Sequence, residues 1–553
     1  MAPKFKLTAI YEKSLTALNG ATVDLSRCAT AGEIRLIDCT AAGEGVLRIY
    51  ETNLNFPPKD VAYATASYVW RGYPPKKPRT TPRPTFTVKG AESGEPINIR
   101  LLTHLCAAAV QEGVELLWLD RLCIMQTSKE DKAWQIQQMH AVYARCAVCL
   151  ILPGGINRLA SLGEDTAWIH RAWTLQELLA PPRSLVLFEW TYGPGSYSGA
   201  TVGRITEVVA RKCALADATD VLQLSIAGTM SFKRDKGKDA THRFSVPVHI
   251  FGTPAAPQAW ATMGALRLRG SEAGESAVWR SALMRTSSRP VDMIFSIMGL
   301  FDVALNPAYF DKNDRVGATV ALAKRILEKG HSATWIGASF HLPTSSQLSS
   351  FPDFPESSVS GQAMVSVGGR MKEVSTVVDG DYMSQWWLRH APKGHIDDNG
   401  YLVIRVQAVA ASLTDRRGDA TPGVANMSIR SDTGTYRITD LRGRKWSVDK
   451  RQAISGSTQA MILFVGTEGR LPSSTAYQFG EDTPVRAIAV EAHGRGKYNR
   501  VASFFLGRCF EQEIKTWRAA EVAIGGPSAL SDEQLAIIRK KEHKVRRKPI
   551  EHD

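Results

Sequence analysis

Three short segments hold most of the side chains in this chain that could do chemistry. YATASYVWRG (63–72) offers Ser67, Tyr68, Trp70, Arg71 and Gly72. LWLDRLCIMQ (117–126) offers Asp120, Cys123 and Gln126, and WIHRAWTLQE (168–177) offers Arg171, Trp173 and Glu177. Carboxylates can stabilise developing positive charge, arginines can hold anions, and indoles can stack on planar rings. Each residue also has a plainer reading. Glu177 is either a catalytic carboxylate or a helical one paired with an arginine. Asp120, at a strand end, either caps the next turn or faces a ligand. Cys123 has no His–Asn or His–Asp set at a readable spacing, so a buried small apolar role is preferred to a nucleophile. Trp118 and Trp173 read as core before they read as stacking platforms. His170 reads as structural.

Other chemistries find no support. Cys146 and Cys149 form a C-x-x-C at the start of the apolar run ARCAVCLIL. Strand residues three apart point to opposite faces, and no second Cys or His pair completes a zinc site, so no metal is expected. The chain lacks G-x-x-x-x-G-K-[ST], G-x-S-x-G and H-E-x-x-H. Eight cysteines in 553 residues are too sparse for a disulfide framework. No apolar stretch approaches the roughly 18–20 residues that cross a bilayer, and the N-terminus has no signal-peptide core, so a cytoplasmic location is expected. A net charge of +14 favours an acidic partner: nucleic acid, nucleotide or anionic lipid. Part of the excess is local, in RKKEHKVRRK (539–548) and RGYPPKKPRTTPRPTF (71–86), both of which read as solvated surface. The basic tail leaves a nuclear location open.

The length implies about three domains. Residues 1–59 read as an irregular lead-in with strand-like pieces at 33–38 and 45–50. From 60 to 195 the pattern alternates: strand 61–70, short strand 85–90, helix 97–113 capped by Asn98, and strand 115–124. Helix 127–146 follows, with a Thr127/Glu130 capping box, then strand 147–155, helix 166–180 and strand 184–190. Right-handed crossovers turn that order into a parallel sheet flanked by helices, with 117–121 and 147–152 as expected neighbours. Ligands in such sheets bind outside the carboxyl ends of the strands, here Trp70–Gly72, Asp120–Gln126 and the segment after Gly154–Gly155. Residues 196–345 read as mainly helical, including 200–225, 277–303 and 316–330. Residues 360–510 read as β-rich, and 530–553 as a basic tail.

In their order and spacing, the three segments resemble the fungal heterokaryon incompatibility (HET) domain. The matching positions are Ser67, Tyr68, Trp70 and Gly72; Trp118, Asp120, Cys123, Ile124 and Gln126; Glu130, Met139 and Tyr143; and Arg171, Trp173, Thr174, Gln176 and Glu177. Met125 stands where the family usually has Asn, and Arg71 is inserted between Trp70 and Gly72. A second segment, RTSSRPVDMIFSIMGLFDV (285–303), resembles one that often follows HET domains, through Arg285, Arg289, Asp292, Gly299 and Phe301, and implies an accessory structural role. The HET domain is in turn similar to TIR domains, which implies a TIR-like α/β fold with W-T-L-Q-E-L (173–178) at the position of the TIR glutamate. That resemblance implies NAD as a substrate, cleaved at the nicotinamide–ribose bond, with Glu177 as the carboxylate. Cleavage builds positive charge on the ribose, which an anion stabilises. Nicotinamide is cationic while attached, so its departure needs no general acid. Trp70 and Trp173 would stack a base, and Arg71 would hold the pyrophosphate.

The resemblance implies a fungal incompatibility or cell-death effector. Two alternatives remain open within it: an NAD-consuming enzyme, or a non-enzymatic module that signals by self-association or through another incompatibility or immune protein. A third reading, nucleic-acid binding, rests on charge alone. No resident cofactor is expected.

Overall fold

A computed structural model describes residues 6–52, 61–74, 83–235, 242–254, 256–339, 341–345, 348–357, 361–378, 386–415, 428–429, 434–470, 484–507 and 509–525. The basic tail and most of the proline-rich stretch after Pro74 lie outside the described residues. The chain divides into two compact units, the first comprising 1–263, 295–300 and 304–308, the second the remainder.

The first unit is built on a mixed sheet whose parallel centre carries the three segments. In chain order its elements are β1 (Leu7–Ser14), β2 (Thr22–Val23), β3 (Arg35–Asp38), α1 (Cys39–Gly43), β4 (Val46–Thr52), β5 (Ala64–Tyr68), β6 (Thr85–Val88), β7 (Ile97–Asn98), α2 (Ile99–Gln111), β8 (Leu116–Trp118), α3 (Asp120–Cys123), α4 (Lys129–Arg145) and β9 (Val148–Leu152). After these come α5 (Trp173–Leu179), β10 (Ser184–Glu189), β11 (Gly195–Ser198), β12 (Gly203–Val209), β13 (Cys213–Asp217), α6 (Ala218–Ala227), β14 (Thr229–Arg234) and β15 (Arg243–Pro247). Among the described residues the sheet order is β1-β4-β3-β8-β5-β9-β10-β13-β12-β11-β14-β15, and β8, β5, β9 and β10 run parallel. Every residue of β5 and of β9 is buried, as a parallel strand covered on both faces requires. The chain moves from β5 to β8 on one side and then crosses to β9 on the other. Right-handed crossovers therefore put α2 and α4 on opposite faces, and the strand order reverses at β5.

Several expectations change. The segments 117–121 and 147–152 are parallel members of one sheet but not neighbours, because the wholly buried β5 lies between them. The expected strand 115–124 stops at Trp118; Asp120–Cys123 turns into a short helix with Cys123 N bonded to Leu119 O at 2.8 Å. The cap of α4 is Ser128, whose hydroxyl accepts from Asp131 N at 3.1 Å, not the exposed Thr127. Asn98 does cap α2, accepting from Arg100 N at 3.0 Å and Leu101 N at 3.3 Å. The expected helix 166–180 is a 3-10 turn, Trp168–His170, followed by α5. The expected helix at 200–225 is largely the β12–β13 hairpin, with α6 beginning only at Ala218. The segment CALAD has helix-forming composition, but pairing with buried β10 overrides local propensity.

The lead-in is a structural part of the sheet. β1 pairs with β4, β4 with β3, and β3 with β8. The tie is a buried ion pair: Arg35 Nη2 lies 2.8 Å from Asp131 Oδ1, both side chains wholly inaccessible. Asp131 also accepts from Met125 N at 2.7 Å and Gly32 N at 3.0 Å. Arg35 Nη1 donates to Cys123 O at 3.1 Å.

In the second unit, α-helical Glu272–Leu283 and Arg315–Glu328 precede a sheet of long antiparallel strands, among them Leu402–Asp415, Ala460–Arg470, Val485–Gly494 and Lys497–Leu506. Its core includes Trp446, Ile462, Val485 and Phe504. This is the β-rich region expected from sequence. Arg285 is fully buried, with Nε 3.3 Å from Ser281 Oγ, and Phe301 packs on Trp279. No described helix is long and apolar enough to cross a membrane.

Removing one partner of a buried ion pair strands the other charge, at a cost of roughly 3–5 kcal/mol. Asp131→Ala is expected to lose stability on that scale in urea unfolding. A loss under about 1 kcal/mol would show that the pair does not tie β3 to α4.

Candidate functional site

The carboxyl ends of β5 and β8 and the start of α5 meet through two carboxylates. Ser67 is the penultimate residue of β5 and fully buried. Its Oγ lies 2.9 Å from Trp168 Nε1 and 2.6 Å from Glu177 Oε2. An indole N–H only donates, so Ser67 accepts from Trp168 and spends its own proton on Glu177. That chain explains the local order: Trp168 sits in the 3-10 turn before α5, and the Thr174 hydroxyl, 2.8 Å from both Trp168 O and Arg171 O, ties the turn to the helix. Glu177 is only 6% exposed. Its carboxylate meets the Ser67 side chain because α5 packs this face against β5.

Asp120 lies two residues beyond β8, at the start of α3, and is half-buried. Tyr68 Oη donates to its Oδ1 at 2.5 Å, Trp70 Nε1 to Oδ2 at 2.7 Å, and Arg121 N to Oδ1 at 2.6 Å. Burial raises its carboxyl above the usual aspartate range, opposed by the hydrogen bonds from Tyr68 and Trp70 and by Arg121. Burial and the nearby Asp120 charge push the Tyr68 phenol well up, so it stays a donor at neutral pH. Asp120 thus fixes the rings of Tyr68 and Trp70, and the buried Arg121 guanidinium lies 5.6 Å from the Trp70 ring centroid.

The remaining expected residues are placed as follows. Gly72 works through its backbone: a Cβ there would stand 2.9 Å from Gly154 O, so the loops after β5 and β9 pass in contact. Gln126 is buried and its Nε2 donates to Asp120 O at 3.0 Å, supporting the turn. Cys123 is fully buried, accepts from Leu119 N at 3.3 Å, and burial pushes its thiol up to about 12. It is core. Arg71 is exposed and its Nε donates to Ser93 O. Arg171 and Trp173 are half-buried at the start of α5. Met125 is buried and contributes its backbone N–H to Asp131. The C-x-x-C argument changes too: Cys146 ends α4 rather than lying on a strand, and the Thr65 hydroxyl donates to its sulfur at 3.4 Å. Among the described residues no group of three or more potential metal ligands gathers.

Sequence reasoning missed Trp168, Glu95 and Arg158. Trp168 stood inside the third segment, and a tryptophan next to a buried serine is legible only once α5 is folded onto β5. Glu95 and Arg158 lie in loops whose meeting no spacing announces.

Residues 63–163 match the model of the family described as Heterokaryon incompatibility protein (HET). The chain carries a HET domain. The matched stretch holds β5, β8 and β9 with Ser67, Tyr68, Trp70 and Asp120, and ends before Trp168 and Glu177. No curated protein and no solved structure matches the chain.

Two outcomes are expected of this site. In native protein at pH 8, a disulfide reagent should label exposed Cys509 fast and leave Cys123 untouched until denaturant is added; equal rates would contradict the buried placement. Asp120 has a raised folded-state value, so its contribution to stability is present below the ordinary value of about 3.9 and is lost as pH rises through the folded value. The melting temperature of the wild type relative to Asp120→Asn should therefore fall as pH is raised from about 4 towards neutral. A difference that grows over that range would contradict the assignment.

Proposed function

We propose that this HET domain is a TIR-like effector acting in heterokaryon incompatibility and cell death, and that it cleaves NAD with Glu177 as the working carboxylate. The observation that carries this reading is the Trp168–Ser67–Glu177 chain at the carboxyl end of β5, where the strand order reverses and where doubly wound sheets bind ligands. Two donors in series hold one carboxylate oxygen in a fixed place, the preorganisation that transition-state stabilisation needs. In the reaction the glycosidic bond breaks and its electron pair leaves with nicotinamide, which departs neutral. The ribose cation that forms is stabilised by Glu177, and water adds to it with loss of a proton. The products are ADP-ribose, nicotinamide and a proton. Trp70, clamped by Asp120, offers a face for stacking, and Arg71 stands beside it. No resident cofactor takes part.

A second reading has its own support. Glu177 is nearly inaccessible and Ser67 bonds it, as a carboxylate that merely holds α5 on the sheet would be. The domain would then signal by self-association or through another incompatibility protein. Nucleic-acid binding is the third reading; it rests on the net charge of +14 and predicts steep salt dependence.

Glu177→Gln decides between the first two. It keeps the side chain's size and an acceptor for Ser67 but removes the charge. Purified wild-type protein, at matched oligomeric state, should consume NAD, and the variant should turn over ~10²-fold more slowly or worse, with its melting temperature within a few degrees of wild type. A folded Glu177→Gln variant that still triggers cell death in a fungal host would rule out NAD cleavage as the mechanism. If the assembled wild type leaves NAD intact, Met125→Asn is the reversion to try.

A further inference from the structure

Glu95 sits where the loops after β5 and β9 meet. Its backbone N–H donates to Trp70 O at 2.8 Å. Its own carbonyl accepts from Arg121 Nη1 at 2.5 Å, while Arg121 Nη2 reaches Ala91 O at 3.3 Å. Gly94 lies against the same guanidinium: a Cβ there would stand 3.1 Å from Arg121 Cζ. The loop 89–96 is thus laid across the carboxyl end of β5 by its backbone, and the Glu95 side chain is aimed at glycines. Gly72 N–H hydrogen-bonds the carboxylate. Gly155, in the left-handed region at φ +86°, would place a Cβ 3.8 Å from Glu95 Oε2 and is kept bare by the close approach of the chain.

The charges around this carboxylate are mostly positive. Arg158, Arg121 and Arg83 all act on it electrostatically. Arg158 is oriented by Glu164 and by Tyr73 O, 3.2 Å from its Nη2, and Arg83 Nη1 donates to Asn157 O at 2.5 Å. Arg71 stands exposed one residue before Gly72. Glu164 is already paired with Arg158, and Arg121 also acts on Asp120 and Glu92. Glu95 makes no ion pair within 4 Å among the described residues, so the arginines surround it without closing on it. Burial keeps its carboxyl above the usual glutamate range despite them.

A glycine N–H ringed by arginines at the strand ends is chemistry that binds phosphate. We propose that this is a phosphate-binding cradle, formed by Gly72 N–H, Arg158 and Arg83, and that the Glu95 carboxylate is a resident stand-in that a ligand's phosphate or diphosphate displaces. Glu95 then gates the site: an anion must outcompete it to enter. The proposal rests on the NAD reading only for the choice of a dinucleotide-derived probe, and the cradle can stand without any hydrolysis.

The test is calorimetric titration of the full chain at low salt with inorganic pyrophosphate and, separately, with ADP-ribose. Glu95→Gln, which keeps the side chain's shape, should bind pyrophosphate at least tenfold more tightly than wild type. Arg158→Ala in the Glu95→Gln background should remove that gain, and Arg83→Ala, which leaves the Arg158–Glu164 pair in place, should weaken it. Tighter binding of ADP-ribose than of pyrophosphate would assign the anion to a nucleotide; equal binding would assign the site to free phosphates. Unchanged or weaker pyrophosphate binding by folded Glu95→Gln overturns the proposal, as does a gain that survives both arginine replacements. If the gain appears while NAD stays intact, the cradle stands and the NAD reading falls. If NAD is consumed and Glu95→Gln changes nothing, the reverse holds.

Discussion

One buried charge pair fastens the turn that carries Asp120 to the approach to β3. Arg35 and Asp131 are wholly out of water, and each also bonds backbone groups of different segments. Arg35 takes the carbonyls of Thr30 and Cys123; Asp131 takes the N–H groups of Gly32 and Met125. The pair therefore binds the approach to β3, the turn after Asp120 and the start of α4 into one unit. Taking two charges out of water is costly, and the added backbone bonds, with Glu51 Oε2 3.7 Å from Arg35 Nε, offset part of that cost. Asp120 can stand at a defined point beyond β8 because the turn behind it is fastened in this way.

From that anchor the two site carboxylates acquire opposite characters. Asp120 receives donors from Tyr68, Trp70 and Arg121, so its charge is spent on fixing two aromatic rings. Glu177 receives a serine hydroxyl that is itself fixed by an indole. The first arrangement fixes two rings; the second fixes one carboxylate oxygen. Both depend on β5, whose side chains alternate: Ser67 reaches α5, and its neighbour Tyr68 reaches the other way to Asp120. A one-residue slip of β5 would exchange these partners and lose both.

The Glu95 loop adds a third layer at the same strand ends. Glycines at 72, 94 and 155 let the loops after β5 and β9 and the loop before β7 touch through backbone. Side chains there would hold the three apart, and the arginines would have no common focus.

Taken by itself, the sequence determined what local pattern and residue type can carry. The 3.6-residue periodicity of α2 and α4, the Asn98 cap, the apolar run of β9 and the long strands beyond residue 400 were all legible because each depends on near neighbours. So was the membership of Ser67, Tyr68, Trp70, Asp120 and Glu177 in motif segments. Only the tertiary structure decided that β5 lies between β8 and β9, that β1, β3 and β4 belong to the sheet, and that 203–217 is a hairpin. It also decided that Glu177 is buried against Ser67 and that Glu95 meets Gly72 and Gly155. The physical reason is the same in each case. Strand order, buried ion pairing and loop contact are set by partners tens of positions apart, and the free energy of those contacts appears only when the chain has closed on itself.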